Sequence, residues 1–427
     1  MTVTLPNTQS PLDNITYEDL YRRWENGNWK ATAIDFSKDA EQWRSEFTEF
    51  DRKAAYWNYC LFFWGEDAVA DGLSPYVDAA PLEEQKYFLT TQQVDEARHA
   101  VFFNRFMKEV VGVGGDSVGD SLRTIEPELS WGFKKVFGRL DQMCDELRKD
   151  PSVPRLAAGV ALYHVIIEAT LAQPGQHFIT SYLEDRDILP GFREGMENVA
   201  ADEQRHIGFG VKLLHDLRKM DPDVPHAVAD LLREVMPWTI NVLVPPGWDE
   251  RYIETFGFTM EDLGEQGAMS LETKLRSAGM PLEELPGPPV MPLEGTPRER
   301  AMRGKALSKA GYLGEKIGPP SRDPKDVALL FESVANGLDV GAARAPGSIQ
   351  WEFRDHEPWH VVVANGATRA ARGTVENPTV RFEVAFEDWV DVVAGRTDPR
   401  RLMLRGRFRP RGDLRWLFKS RKMFPAG

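Results

Sequence analysis

Cysteine is nearly absent: Cys60 and Cys144 are the only two in 427 residues. So few thiols exclude a disulfide framework and a thiolate metal site, and they suit a reducing cytoplasm. No stretch reaches the roughly 18 uninterrupted apolar residues of a membrane-spanning helix. The opening Met1 to Asn14 also lacks the basic start and apolar core of a signal peptide. The expectation is a soluble, cytoplasmic protein. Basic residues are in deficit as well, 52 Lys and Arg against 66 Asp and Glu, a formal charge of −14. That balance repels a phosphate backbone and excludes nucleic acid as a partner of the whole chain.

What is present is ordinary globular material, 42% apolar and 28% charged, in a chain long enough for at least two domains. From Asp51 to Met220 apolar residues recur at helical spacing, as in Trp57, Cys60, Leu61, Trp64 and Ala68. Four long helices are predicted at about 42–72, 82–111, 154–184 and 191–218, with shorter ones near 120–148 and 226–243. Pro81 suits the first turn of the second, whereas Gln173-Pro174-Gly175 falls inside the third and should kink it close to Glu168. Residues 286–320 are rich in Pro, Gly and charge and read as a linker. Beyond it the period changes to β-type runs at Ile349–Phe353, His360–Val363, Thr379–Phe386 and Leu402–Phe408, with a helix at Glu387–Ala394. The predicted fold is mainly α: an N-terminal arm (1–40), a helical bundle (41–285), the linker, and a small α+β domain (321–427).

Two pentapeptides inside the predicted helices, Asp95-Glu-Ala-Arg-His99 and Asp202-Glu-Gln-Arg-His206, form an internal repeat. Residues three apart share a helix face, so Glu96 with His99, and Glu203 with His206, each offer one ion a carboxylate and an imidazole. Glu66 lies 30 residues before Glu96 and Glu168 lies 35 before Glu203, each on the preceding long helix. Four carboxylates and two imidazoles converging in a bundle are the ligand set of a ferritin-like di-iron or di-manganese site. Glu66 and Glu168 sit in apolar runs, where a buried carboxylate needs a cationic partner. Asp95 and Asp202 each precede a ligand and are placed either to orient the imidazole of the opposite repeat or to form surface salt bridges. Glu357-Pro-Trp-His360 shares the Glu-x-x-His spacing, but its Pro and the following strand forbid a helical chelate.

On these residues the first 290 or so positions resemble the ribonucleotide reductase small-subunit superfamily, specifically its ligand-binding oxidase branch. Trp24-Glu-Asn-Gly-Asn-Trp29, Ala33-Ile-Asp35-Phe36, Gly65-Glu66-Asp-Ala-Val69 and Asp187-Ile-Leu-Pro190-Gly191 carry the likeness. The resemblance implies a homodimer holding Fe/Fe or Mn/Fe, with Glu96 and Glu203 bridging, and dioxygen as co-substrate. It also implies an ether cross-link between Tyr163 and Val69, and electron delivery from an external donor through Trp29, Asp202 and His99. A tyrosyl-radical reductase would carry tyrosine one turn after the first histidine; that position is Phe103.

The C-terminal part is similar to the sterol carrier protein type two family, through Asn377-Pro378-Thr-Val-Arg-Phe-Glu-Val, Glu387-Asp-Trp389, Asp398-Pro399 and Leu404-Arg-Gly406-Arg-Phe-Arg-Pro-Arg-Gly412. On a strand, Arg405, Arg407 and Arg409 would form a cationic face opposite Leu404 and Phe408. From Arg396 to Gly427 there are 11 basic and 2 acidic residues. That charge suits docking onto the acidic bundle, or transient contact with an anionic membrane surface. The expected function is a dimetal oxidase or oxygenase acting on a fatty acid or other lipid. The competing readings are a non-catalytic lipid binder with structural metals and a metal-radical reductase subunit.

Overall fold

The computed structural model describes residues 11–339, 346–413 and 415–416. Two apolar cores divide the chain, one drawn from residues before Leu293 and one from Leu307 onward. In the first, helix α1 (Tyr17–Asn26) starts on Thr16, whose hydroxyl accepts from the Asp19 amide. A short helix, Ser37–Ser45, follows. Then α2 (Glu49–Gly72) opens on a Thr48/Asp51 capping box, which breaks the single helix expected from 42 onward. The bundle also contains α3 (Glu83–Phe106), a helix at Trp131–Lys149 where a shorter one was expected near 120–148, α4 (Val153–Arg186), α5 (Pro190–Met220), α6 (Val224–Thr239) and α7 (Met260–Ser277). By length and composition α4 could cross a membrane, but 83% of its most apolar window is buried inside the bundle, as for a core helix.

The residues expected to form an N-terminal arm are part of this bundle: Tyr17, Leu20, Ile34 and Phe36 are buried in its core. Asp39, also buried, accepts hydrogen bonds from the Gly191 and Phe192 amides and so caps the start of α5. Helices α2 and α3 run antiparallel, with Glu66 against His99 and the Ala70 carbonyl against Gln93. Helices α4 and α5 pair likewise, His164 against Gly210 and Glu168 against His206. Gly210 makes that approach possible, since a Cβ there would stand 2.2 Å from the His164 Cβ.

The predicted kink near Gln173-Pro174 takes the form of a π-helical stretch, Ala161–Ala172, within α4. Bonds there step back five residues, as from the Gln173 amide to the Glu168 carbonyl. Pro174 has no N–H to continue the series, and the Ala169 carbonyl it would have met accepts instead from the Ser270 hydroxyl of α7 at 2.6 Å. This widened turn carries Tyr163, His164 and Glu168.

The expected linker holds a helix, α8 (Pro297–Lys309), capped by Thr296 and Glu299. Arg298 pairs with Asp262 and Glu265, Arg300 with Glu272, and Lys305 with Glu250 and Glu261, tying α8 to the bundle. Helix α9 (Pro324–Asn336) then packs against a five-stranded sheet made of β1 (Gly347–Phe353), β2 (Trp359–Ala364), β3 (Ala367–Arg372), β4 (Val380–Val384) and β5 (Phe408–Gly412). The order is β3-β2-β1-β4-β5, with β1 and β4 parallel and the other neighbours antiparallel. Between β4 and β5 lie α10 (Phe386–Val393) and α11 (Pro399–Leu404).

The strand expected at Leu402–Phe408 is corrected by α11. Asp398 caps the helix by accepting from the Arg400 amide, Pro399 suits its first turn, and the strand begins only at Phe408. Leu404, expected on an apolar face, is 90% exposed. Among the described residues, four of the nearby arginines have partners close at hand in the sequence or the sheet. Arg407 pairs with Asp388, Arg409 and Arg411 with Glu383, and Arg396 with Asp391 and the Gly311 and Gly314 carbonyls. The rest of the basic tail, 417–427, lies outside the described residues.

Candidate metal centre

The structure brings all six predicted ligands together. Glu66 comes from α2, Glu96 and His99 from α3, Glu168 from the π stretch, and Glu203 and His206 from α5. All are buried. They fall into two groups, Glu66, Glu96, His99 and Glu203, and Glu96, Glu168, Glu203 and His206, with the ligand atoms of each within 4.8 Å of one another. Glu96 and Glu203 belong to both, the place a bridging carboxylate must occupy.

Each imidazole turns Nδ1 to this cluster. His99 Nδ1 is 3.1 Å from Glu66 and 3.5 Å from Glu96; His206 Nδ1 is 3.2 Å from Glu96 and 3.6 Å from Glu203. Their outer nitrogens cross over, His99 Nε2 to Asp202 Oδ2 and His206 Nε2 to Asp95 Oδ2, both at 3.1 Å. Of the two placings open to the aspartates, the structure shows contact with the opposite repeat's imidazole. Salt bridges are made as well: Arg98 and Arg205 each bind both Asp95 and Asp202.

Charge in this pocket is poorly balanced. Burial pushes the Glu66 carboxyl up to about 8, and burial together with the neighbouring carboxylates raises Glu168 and Glu203. Glu96 is equally buried, but His206 and His99 hold it low. Burial disfavours the imidazolium forms, yet Glu66 and Asp202 raise His99 well above its usual value, and Glu96 and Asp95 do the same for His206. One Oε each of Glu96, Glu168 and Glu203 is buried without a hydrogen-bond partner. Buried acceptors with no donors carry a desolvation cost that a pair of divalent cations removes. Hard oxygen donors with two imidazoles fit iron or manganese.

Several contributors were not singled out from the sequence. Gln92 Nε2 donates to Glu168 at 2.8 Å, and its carbonyl faces His164 Nε2 at 3.2 Å. Its signal was available, since Gln92 lies one turn before Glu96 on the same face. Trp24, quoted only as part of a motif, donates from its indole N–H to Asp95 Oδ1 at 2.8 Å. Of the other sequence candidates, Trp29 donates to Asp202 Oδ2 at 2.8 Å, and the Tyr163 hydroxyl donates to Glu96 Oε1 at 3.0 Å. Val69 lines a cavity beside the cluster. His360, the rejected Glu-x-x-His match, faces the Gly373 carbonyl, and Glu357 pairs with Arg372.

That cavity and its mouth together hold about 960 Å³ of non-atom space, part of it open solvent. Its walls are mainly apolar, including Leu61, Phe62, Phe137, Leu171, Phe178 and Phe258, while Glu66, Glu96, Glu168 and Glu203 form one side.

Comparison with known proteins agrees with this geometry. The family described as ribonucleotide reductase, small chain, matches residues 7–238, and the SCP-2 sterol transfer family matches residues 340–424. Among solved structures, the fold is shared with an R2-like ligand-binding oxidase variant carrying an anaerobically reconstituted Mn/Fe cofactor. It is 21% identical, over 65% of this chain and 98% of that one, with a TM-score of 0.53. The R2-like ligand-binding oxidase from Sulfolobus acidocaldarius is 23% identical over 67% and 94%, with a TM-score of 0.50.

Proposed function

The chain belongs to the ribonucleotide reductase small-chain family, and from this we infer that it is a dimetal oxidoreductase that uses dioxygen to oxidise an apolar, lipid-like substrate by two electrons. The observation that carries the reading is the apolar cavity whose wall includes four of the six metal-binding side chains. The position a tyrosyl-radical reductase would give its tyrosine is Phe103, fully buried and stacked on Phe62. The Mn/Fe cofactor of the oxidases that share the fold supports the same choice.

Glu66, Glu96, His99 and Glu203 would hold one ion, and Glu96, Glu168, Glu203 and His206 the other, as Fe/Fe or Mn/Fe. The chemistry such a pair supplies is dioxygen activation and removal of electrons from a C–H bond. This chain's residues do the positioning. Asp95 and Asp202 fix the imidazoles with Nδ1 inward, Gln92 and Tyr163 orient Glu168 and Glu96, and the aromatic walls exclude water. Hydroxylation of a C–H bond by dioxygen draws two further electrons and two protons from an external donor. Cys60 and Cys144, buried and unpaired, suit the reducing cytoplasm we propose as its location.

The test loads the chain with Fe(II) and Mn(II), measures metal content, and supplies air, a reductant and a long-chain fatty acid. The expected result is two metals per chain, oxygen uptake, and a hydroxylated or desaturated product. Fatty acid bound but returned unchanged would instead identify a lipid binder with structural metals. Without substrate, the Tyr163 and Val69 peptides are expected to join with loss of two hydrogens, a product that Tyr163→Phe abolishes. Two separate peptides after aeration of the wild type would remove the cross-link from the scheme.

We also propose a homodimer. Tyr87, Val94 and Val101 recur every seven residues on α3 and are 57%, 51% and 40% exposed, an apolar stripe fit for a second copy. Sedimentation is expected to show twice the chain's mass, shifting to the monomer in Val94→Glu; a monomeric wild type refutes the stripe's role.

A further inference from the structure

The repeat that doubles the ligands also doubles the tryptophans. Trp29 and His99 meet on one oxygen of Asp202; Trp24 and His206 meet on the two oxygens of Asp95, at 2.8 and 3.1 Å. Indole is among the most easily oxidised side chains, and in each case a single carboxylate separates it from a metal-facing imidazole. Both indoles are half-buried at the protein's edge.

Their surroundings differ in one respect that bears on oxidation. The Arg98 guanidinium stands 5.1 Å from the centre of the Trp29 ring, a cation on the π face that opposes loss of an electron from that ring. Among the described residues no such cation lies over Trp24, which instead has the half-buried Tyr21 ring at 5.7 Å. Tyr21, Trp24, Asp95 and His206 therefore form a continuous line of oxidisable or hydrogen-bonded groups from the surface to the cluster.

We propose that Trp24 is a second redox relay, delivering one electron through Asp95 to the half of the metal pair held by His206, with Tyr21 behind it. The inference rests on the dimetal reading above. In the step, the Trp24 indole loses one electron to an oxidised metal ion while its N–H proton stays within the hydrogen bond to Asp95. One electron from a small one-electron reductant, such as ascorbate, then restores the indole. An equivalent transfer through Trp29 serves the His99 half, so each relay accounts for one of the two electrons needed to return the pair to its reduced state. A purely structural Trp24 would hold Asp95 in place and carry no spin.

The experiment compares wild type, Trp24→Phe, Trp24→Tyr, Trp29→Phe and the double Phe variant, each loaded with Fe(II) and assayed for metal. Samples aerated without reductant are freeze-quenched for electron paramagnetic resonance; ascorbate is then added under argon and the loss of ferric absorbance followed. The expected result is a tryptophan radical and substantial re-reduction in Trp29→Phe, both lost about tenfold or more in the double variant because the routes act in parallel. Trp24→Tyr, still oxidisable, is expected to outpace Trp24→Phe. The proposal is overturned if Trp24→Phe matches wild type and Trp29→Phe is already as slow as the double variant. It is equally overturned if Trp24→Phe and Trp24→Tyr lose rate alike with no radical seen. Absence of two metals in the wild type would instead overturn the dimetal reading itself.

Discussion

Metal affinity of the metal-free chain is expected to fall by about a hundredfold for each pH unit between 8 and 6, because binding must displace at least two protons. The metal-free pocket keeps protons that ordinary side chains would have shed. Glu66 is pushed to about 8, Glu168 and Glu203 are raised, and both imidazoles are raised by the acids around them. Ligands bind metal deprotonated, so each retained proton contributes a factor of about ten per pH unit. The same shifts fix the sign of the stability effect. A carboxyl or imidazole whose folded pKa is raised means that the native state binds more protons than the unfolded chain. Stability is then greatest at low pH and is lost as pH rises, for Glu66 from its ordinary value near 4.5 up to about 8. Glu96, held low, loses its contribution only as pH falls below its ordinary value near 4.5, and leaves the slope between pH 6 and 8 unchanged. Thermal unfolding of metal-free protein should therefore move to lower temperature between pH 6 and 8, and that slope should flatten with Mn(II) bound. Chelator competition and proton release by calorimetry measure the first effect. A dependence weaker than tenfold per unit would mean that the cluster is already deprotonated.

Phe331→Ala is expected to destabilise the C-terminal domain by about 3–5 kcal/mol, the usual cost of emptying a buried aromatic site. Phe331, fully buried, is stacked between Trp359 and Trp389, both at 4.6 Å between centroids with interplanar angles of 3° and 15°, and Trp351 meets it edge-on at 5.5 Å. Typical domain stability is only about 5–15 kcal/mol, so the variant domain should be partly unfolded at room temperature. Chemical denaturation would show it as an early transition, with the bundle's transition unmoved because the two cores are separate. A loss below about 1 kcal/mol would show that the rings surround a void instead of filling it.

The clustering of Glu96 with His99 and of Glu203 with His206 was legible because three-residue spacing on a helix is a geometric statement that the sequence makes by itself. The relations around them were not. Trp24 finds Asp95, and Arg98 finds Asp202, across gaps of 71 and 104 residues that no local pattern encodes. Strand β3, Ala-Thr-Arg-Ala-Ala-Arg, was missed because alanine and arginine carry little β preference; its place is set by pairing with β2. Helix α8 was hidden by the prolines and glycines on either side of a perfectly ordinary capped segment. The run Leu402–Phe408 alternates like a strand, but Asp398-Pro399 is a helix start and prevailed over the alternation.

The π-helical stretch makes α4 sensitive to length in a way that its neighbours are not. Removing one residue from Ala161–Ala172 while its wide turns persist would turn everything beyond by roughly 80–100°. Gly175, Phe178 and Ile179 would rotate off the cavity wall, and Ser270 would face the wrong carbonyl. Substitutions in this segment can be absorbed one side chain at a time. A change in its residue count cannot, so among diverged copies of this bundle the spacing from Tyr163 to Phe178 should persist longer than the identities of the residues between them.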